Sequence, residues 1–402
     1  MSRLTAIDLF CGAGGLSAAL EASGWHTVSL VDEDPDCIAT LDATKRRRIE
    51  IPDDDGRAYL SASRIVRADI RQISAADLRP ARVGASWRPD LLAGGPPCQP
   101  FSSAGRRRAL EDPRGQMFLE FVRVAHELRP RFILFENVAG LITAKTPDGR
   151  AGGVLELVQE SFEGIGYACS FRLLNAADFG APQRRVRLFM LASCDEALPE
   201  FPRETHSRDG GDLFSQLLPW MSLGAFIASQ PQPDPADVVR PKGKREAALM
   251  ELEPGTGLRA GGIVEANRPG GHWGYRQDCF LADPELPSRT IRAATTPDWI
   301  RVRGGRLRRL TWRECAGLQG FPKEWDFQGG IASRFRQIGN AVQGHIGQAL
   351  GRALRQAAAY RTLTTPISEQ WPVAFRRRVR YTTMEHKVNG HHRAAARRAR
   401  EA

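Results

Sequence analysis

A chain of 402 residues is long enough to bury a full core and to hold two domains and a tail. Its formal net charge of +11 and pI near 9.7 suit a polyanionic partner, and arginine far outnumbers lysine, as planar contacts to phosphate and guanine favour. Seven cysteines without a C-x-x-C pair argue against a disulfide framework and a zinc cluster, and no apolar run approaches bilayer thickness. A reduced, cytoplasmic protein without metal or membrane is expected.

The first residues, Thr5–Phe10, predict a strand, Cys11-Gly12-Ala13-Gly14-Gly15 a tight turn, and Leu16–Ala22 a helix with apolar residues at helical spacing. A second strand, Thr27–Val31, runs into Asp32, Glu33 and Asp34. Asp32 stands about 20 residues past the first glycine, where nucleotide-binding folds hold ribose hydroxyls, so a ribonucleoside cofactor is expected. Ser17 occupies the place of the third glycine of a dinucleotide fingerprint, which weighs against NAD and an oxidoreductase. The polar stretch Lys45–Ala58 reads as a surface loop, and Arg64–Ala68 as a third strand ending at Asp69 and Ile70. Asp69 is equally suited to capping a turn.

Pro89–Ala93 predicts a buried strand, followed by Gly94-Gly95-Pro96-Pro97-Cys98-Gln99-Pro100-Phe101-Ser102. Two glycines admit close backbone approach, and two prolines forbid ladder and helix, so the loop presents one thiol, Cys98, at a strand tip. Arg106-Arg107-Arg108 follows as a basic lid, and Arg114–Met117 opens a helix over Phe118–Leu128. Arg131–Phe135 is a fully apolar strand with Glu136-Asn137-Val138 at its carboxyl end, where Asp32, Asp69 and Cys98 also converge. Gln183–Met190 begins at a turn and reads as a strand, and a period of two places Gln183, Arg185 and Arg187 on one face.

Beyond Cys194, prolines, glycines and polar residues dominate to Pro287, which predicts a separate loop-rich unit. Arg240 and Lys242, and further on Arg268 and Arg276, sit among glycines and aromatics as in flexible DNA-reading loops. Leu310–Pro322 and Gln337–Val342 return to a compact pattern, and from residue 363 the chain is a basic tail of nonspecific phosphate affinity.

The turn Asp8–Gly15, the Pro-Cys-Gln run at 97–99, Glu136-Asn137-Val138, Gln183–Arg187 and Gln337–Val342 resemble, in this order, the motifs of the DNA (cytosine-5) methyltransferases of bacterial restriction-modification type. The resemblance implies an α/β fold: a Rossmann-like S-adenosylmethionine-dependent methyltransferase domain with a second, smaller loop-rich target-recognition domain. The first would span residues 1–195 and 330–362, the second with its hinge 196–329, and the tail 363–402. The chain departs from the family pattern where Gln343-Gly344-His345 replaces the customary proline after Val342.

The same resemblance assigns roles. Cys98 would add to carbon 6 of a flipped-out cytosine and Glu136 would hydrogen-bond or protonate ring nitrogen 3; independently of the resemblance, positive charge at Arg185 or Arg187 is expected to favour the thiolate. The cofactor S-adenosylmethionine would lie among Phe10, Gly12, Ala13, Gly14, Gly15, Asp32, Glu33, Asp69, Ile70, Pro97, Met117, Asn340 and Ala341. Duplex DNA would meet Gln99, Ser102, Arg106, Arg107, Arg108, Gln183, Arg240, Lys242, Arg268 and Arg276. A monomer is expected, with a cognate restriction endonuclease as a companion. An RNA cytosine-5 methyltransferase is the nearest rival, since the chemistry motifs are shared. A catalytically silent DNA-binding protein is the other, and it would be expected to have lost Cys98 or Glu136.

Overall fold

The computed structural model describes residues 3–52, 54, 56–97, 113–144, 153–195, 198–210, 216–258 and 279–360. Five strands, β1 (Thr5–Leu9), β2 (His26–Asp32), β3 (Arg64–Arg67), β4 (Leu91–Gly94) and β5 (Phe132–Val138), run parallel. β6 (Ala168–Asn175) joins them only through β7 (Val186–Ser193), which is antiparallel to both β5 and β6. The sheet order is β3-β2-β1-β4-β5-β7-β6. Such a sheet is covered on both faces, so its central strands are apolar without alternation: Leu91, Leu92, Ala93, Ile133, Leu134 and Phe135 are all fully buried.

α1 (Gly15–Ala22) follows β1, α2 (Pro35–Arg47) follows β2, and α3 (Ala75–Leu78) precedes α4 (Pro113–Leu128) and α5 (Gly153–Glu163). On α4, Phe118, Phe121, Ala125 and Leu128 recur at helical spacing and are buried. Phe118 and Phe121 meet Phe135 of β5 and Phe162 of α5 edge to face, with centroids 5.8 to 6.0 Å apart. These rings fill one side of the sheet.

Past β7 come the short pair β8 (His206–Ser207) and β9 (Leu218–Pro219), then α6 (Leu223–Ser229) and α7 (Lys244–Met250). A second sheet, β10 (Thr256–Gly257), β11 (Phe280–Leu281), β12 (Trp299–Arg301) and β13 (Leu307–Arg309), closes a small core of Leu249, Leu281, Trp299 and Leu307. α8 (Trp312–Leu318), α9 (Ile331–Asn340) and α10 (Gly344–Tyr360) follow, the last ending where the described residues end. α10 packs on α1 across glycines: a β-carbon on Gly347 would lie 2.6 Å from that of Ala19. Trp25 Nε1 donates to Gly351 O at 2.8 Å in the same contact.

Residues 310–328 pack back onto the first unit. Trp312, Phe321, Trp325 and Phe327 share a core with Ala13, Leu41 and Tyr59, and Trp325 Nε1 donates to Ala13 O at 2.8 Å. The stretch 45–58, expected as a surface loop, begins inside α2 and closes on a bridge between Glu50 and Ala58 that buries Ile51 and Ala58. Ile51 and Ala58 turn inward while the described charged residues around them stay exposed or half-exposed. In place of the missing proline, Gln343 caps α10: its Oε1 accepts from His345 N at 2.8 Å and Ile346 N at 3.2 Å.

Candidate active site

β1 ends in a left-handed turn. Phe10, Gly12 and Gly14 have φ of 55°, 53° and 86°, and a left-handed conformation costs a bulky residue such as Phe10 about 1 to 3 kcal/mol. The turn is tied to β2 by Cys11 N donating to Val31 O at 3.0 Å and Gly12 N donating to Asp32 Oδ2 at 2.8 Å. Asp32 Oδ1 accepts from Asp34 N at 2.9 Å. Burial raises the Asp32 pKa against these two backbone hydrogen bonds. The glycines differ in purpose. A β-carbon on Gly14 would lie 2.6 Å from Leu41 Cδ2, and one on Gly15 would lie 2.9 Å from Ala341 Cβ, whereas one on Gly12 would meet no atom of the described residues within 4 Å. Gly14 and Gly15 are small because the protein packs against them, and the described residues leave the space beside Gly12 open.

Beneath the turn lies Asp8, 1 % exposed and hydrogen-bonded to the Ser17 hydroxyl. Its Oδ1 has no partner among the described residues. Burial pushes its pKa from an ordinary 3.8 up to about 7, which the Ser17 hydrogen bond opposes and the nearby Asp32 reinforces.

Glu136 lies within β5 rather than after it, opposite Phe189 of β7. Its carboxyl meets Arg187, with Oε1 3.3 Å from Nε. Burial raises the Glu136 pKa, while Arg187 first and Arg185 second pull it down. Asn137 Nδ2 donates to Pro96 O at 3.2 Å, so β5 clasps the loop that leads to residue 98. Gly95 of that loop faces Glu136 Oε2.

A family model for the C-5 cytosine-specific DNA methylases matches residues 4–209 and 255–356. The chain belongs to this family. It is 31 % identical to the type II methyltransferase M.SacI of Streptomyces achromogenes over 381 residues, covering 89 % of this chain and 94 % of that one. It is 30 % identical to M.Eco47II of Escherichia coli over 376 residues, covering 87 % and 78 %. Among solved structures it resembles the S. pombe Dnmt2 methyltransferase (TM-score 0.58, 20 % identity, 89 % of this chain and 100 % of that one) in fold. A methyltransferase of Entamoeba histolytica gives a TM-score of 0.59 at 14 % identity over 89 % and 99 %. The protein is a DNA cytosine-5 methyltransferase, of a family that uses S-adenosylmethionine.

The methyltransferase fold brings several of the singled-out residues together. Phe10, Gly12, Ala13, Gly14, Gly15 and Asp32 form the turn, and Ala341 joins them through Gly15. Asn340 and Glu33 are exposed, Met117 is half-buried beside the aromatic cluster, and Ile70 is buried. Asp69 does cap a turn: it accepts from Arg71 N at 2.9 Å and pairs with the Arg71 guanidinium at 2.5 Å. Arg240 and Lys242 are exposed. Cys98, Gln99, Ser102, Arg106, Arg107, Arg108, Arg268 and Arg276 lie outside the described residues, as does the tail from 363.

The shared face expected for Gln183, Arg185 and Arg187 does not form, because β7 starts only at Val186. Gln183 is fully buried, with Nε2 donating to Gln319 Oε1 at 2.7 Å and Oε1 accepting from Ile291 N at 3.0 Å, so in this conformation it offers nothing to a base. Arg185 is likewise interior, and of these three residues Arg187 is the one that pairs with Glu136. Asp8 and Asn137 belong to motifs visible in the sequence, and Gln319 to the stretch Leu310–Pro322, but the sequence assigns none of the three a role of its own. Asp8 had a sequence signal, a carboxylate inside an apolar strand directly before the glycine turn.

Proposed function

We propose that the chain methylates carbon 5 of a flipped-out cytosine within a specific duplex DNA sequence, through a covalent bond between Cys98 and carbon 6. The reading rests chiefly on one observation: a largely buried carboxyl of raised pKa, Glu136, stands against the loop that leads to the thiol and beside the Arg187 guanidinium.

The residues at the turn fit S-adenosylmethionine. Among the described residues nothing fills the space beside Gly12 and no side chain caps the N-terminus of α1, which leaves its amides for a carboxylate, and Asp32 stands at the end of β2 where it would meet ribose hydroxyls. Phe10 and Glu33 would bracket the adenine, Asp69 and Ile70 would read its edge, and Pro97, Met117, Asn340 and Ala341 would close the pocket. When bound, the cofactor supplies an electrophilic methyl group.

Carbon 5 of cytosine is a poor nucleophile until electrons are pushed into the ring. The Cys98 thiolate bonds to carbon 6 while Glu136 gives its proton to nitrogen 3, so carbon 5 becomes enamine-like and takes the methyl group. Loss of the carbon 5 proton to a base then expels the thiolate, and nitrogen 3 returns its proton to Glu136. A free thiol of pKa ~8.5 is only slightly ionised at neutral pH, and positive charge at Arg187 favours the thiolate. The target carbon is unreachable in a stacked duplex, so the base must leave the helix, and Arg240 and Lys242 of the second unit hold the backbone. A cytoplasmic, monomeric modification enzyme paired with an endonuclease of the same target sequence is the accompanying reading. No helix among the described residues is long and apolar enough to cross a membrane.

Transfer of labelled methyl groups to mixed-sequence duplex DNA, and to transfer RNA in parallel, tests the proposal. DNA labelling that Cys98→Ser abolishes is expected, and mapping the methylated cytosines yields the target. Labelling of RNA alone would overturn the substrate.

A further inference from the structure

Arg185 is 2 % exposed, yet no carboxylate among the described residues lies within ion-pair distance of it. Its guanidinium is aimed at backbone: Nη1 donates to Ile291 O at 3.0 Å, and Nη2 donates to Gly339 O and Ala341 O, both at 3.0 Å. Nε has no partner. Burying an unpaired cation is costly, and a methionine of similar volume would fill the space without that cost. Retention of the charge therefore calls for a task that the fork of donors performs.

The carbonyls identify the task. Gly339 and Ala341 belong to the segment whose Ala341 side chain abuts Gly15 of the glycine turn, and Ile291 belongs to the connection between β11 and β12 of the second sheet, which bridges to residues 182–184 of the first unit through Ser288. The same two segments are held a second time. Gln319 Nε2 donates to Ile338 O at 3.0 Å and to Ala341 O at 2.8 Å, and Gln183 links Gln319 to Ile291 N. Two residues beyond Arg185, Arg187 contacts Glu136. One planar side chain thus ties the wall of the glycine turn, the second unit and the approach to Glu136.

We propose that Arg185 is a positioning residue whose guanidinium holds the Gly339–Ala341 wall and the Ile291 segment against the start of β7, and thereby sets cofactor affinity. The proposal rests on the cofactor site described above. A lysine keeps the charge but replaces the fork by a point donor on a different stem, so it cannot hold all three carbonyls in place. A methionine keeps the packing and removes every donor.

The test is calorimetric titration of the full-length protein with S-adenosylhomocysteine, the unreactive product, for wild type, Arg185→Lys and Arg185→Met, alongside steady-state kinetics. Both variants are expected to bind it at least about tenfold more weakly. KM for the methyl donor should rise by a similar factor, with a smaller fall in kcat and DNA affinity within about threefold of wild type. Should one variant fail to fold, the other carries the comparison. Unchanged cofactor affinity in either folded variant, or a lower kcat at unchanged KM, would overturn the assignment. Absence of binding by the wild type would remove the cofactor site itself, and this inference with it.

Discussion

Gly95 lacks a side chain where the Glu136 carboxyl needs the space: a β-carbon there would sit 2.8 Å from Glu136 Oε2. The residue before the two prolines is thus matched to the acid on the neighbouring strand. Gly95→Ala should displace a side-chain end rather than backbone, so stability should fall by less than about 1 kcal/mol. Misplacing the carboxyl by an ångström should lower kcat at least ~10-fold. Thermal melts and single-turnover methylation separate the two effects; a large drop in Tm at unaltered kcat would show that Gly95 serves packing alone.

Glu136→Gln keeps the shape and removes the transferable proton. General acid catalysis contributes about 10²- to 10⁴-fold, so kcat should fall within that range while DNA affinity changes by less than about threefold. Equal losses in rate and binding would contradict the proton-donor role.

The pH dependence has a definite sign. Glu136 must be protonated to donate, and burial raises its pKa while Arg187 lowers it. The rate should therefore fall as pH rises through that pKa. Arg187→Ala removes the lowering influence, so the falling limb should move to higher pH even as the maximal rate declines. A profile of kcat between about pH 5 and 9 reads this directly, and a limb unmoved or shifted to lower pH would count against the Glu136–Arg187 coupling.

Asp8 links pH to stability. Its folded pKa of about 7 exceeds the ordinary 3.8, so between those values the native state binds more protons than the unfolded one, and stability declines as pH rises through the window. Holding the carboxyl ionised costs on the order of 4 kcal/mol. Asp8→Asn should thus stabilise the protein at pH 8 relative to wild type, with the advantage shrinking towards pH 5. Urea unfolding at the two pH values checks this, and a pH-independent difference would show that the carboxyl keeps its ordinary pKa.

How much of this was legible before the structure depends on distance along the chain. The glycine turn, Asp32 at the tip of β2 and Glu136 near the tip of β5 follow from local patterns, since a strand, a turn and a helix each leave a period in the sequence. Gly15 against Ala341, Trp325 on Ala13 and Arg185 on Ile291 join segments more than 100 residues apart, and no local period records them. The reading of residues 183–187 failed for a related reason. Alternation was assumed where the chain is still entering β7, so Gln183 turned inward to Gln319 instead of sharing a face with Arg187. Gln343 shows the converse: a departure from the usual proline is compensated by a side chain that caps the same helix.

The most direct measurement concerns the covalent bond at Cys98. A duplex carrying 5-fluorocytosine at the mapped target has no carbon 5 proton to lose, so the adduct cannot be released once the methyl group has been transferred. In the presence of S-adenosylmethionine, the wild-type protein should give a denaturation-resistant complex whose proteolytic fragments place the bond at Cys98, and Cys98→Ser should give none. Methylation of ordinary DNA without any trapped complex, or a trapped complex that survives Cys98→Ser, would contradict the account.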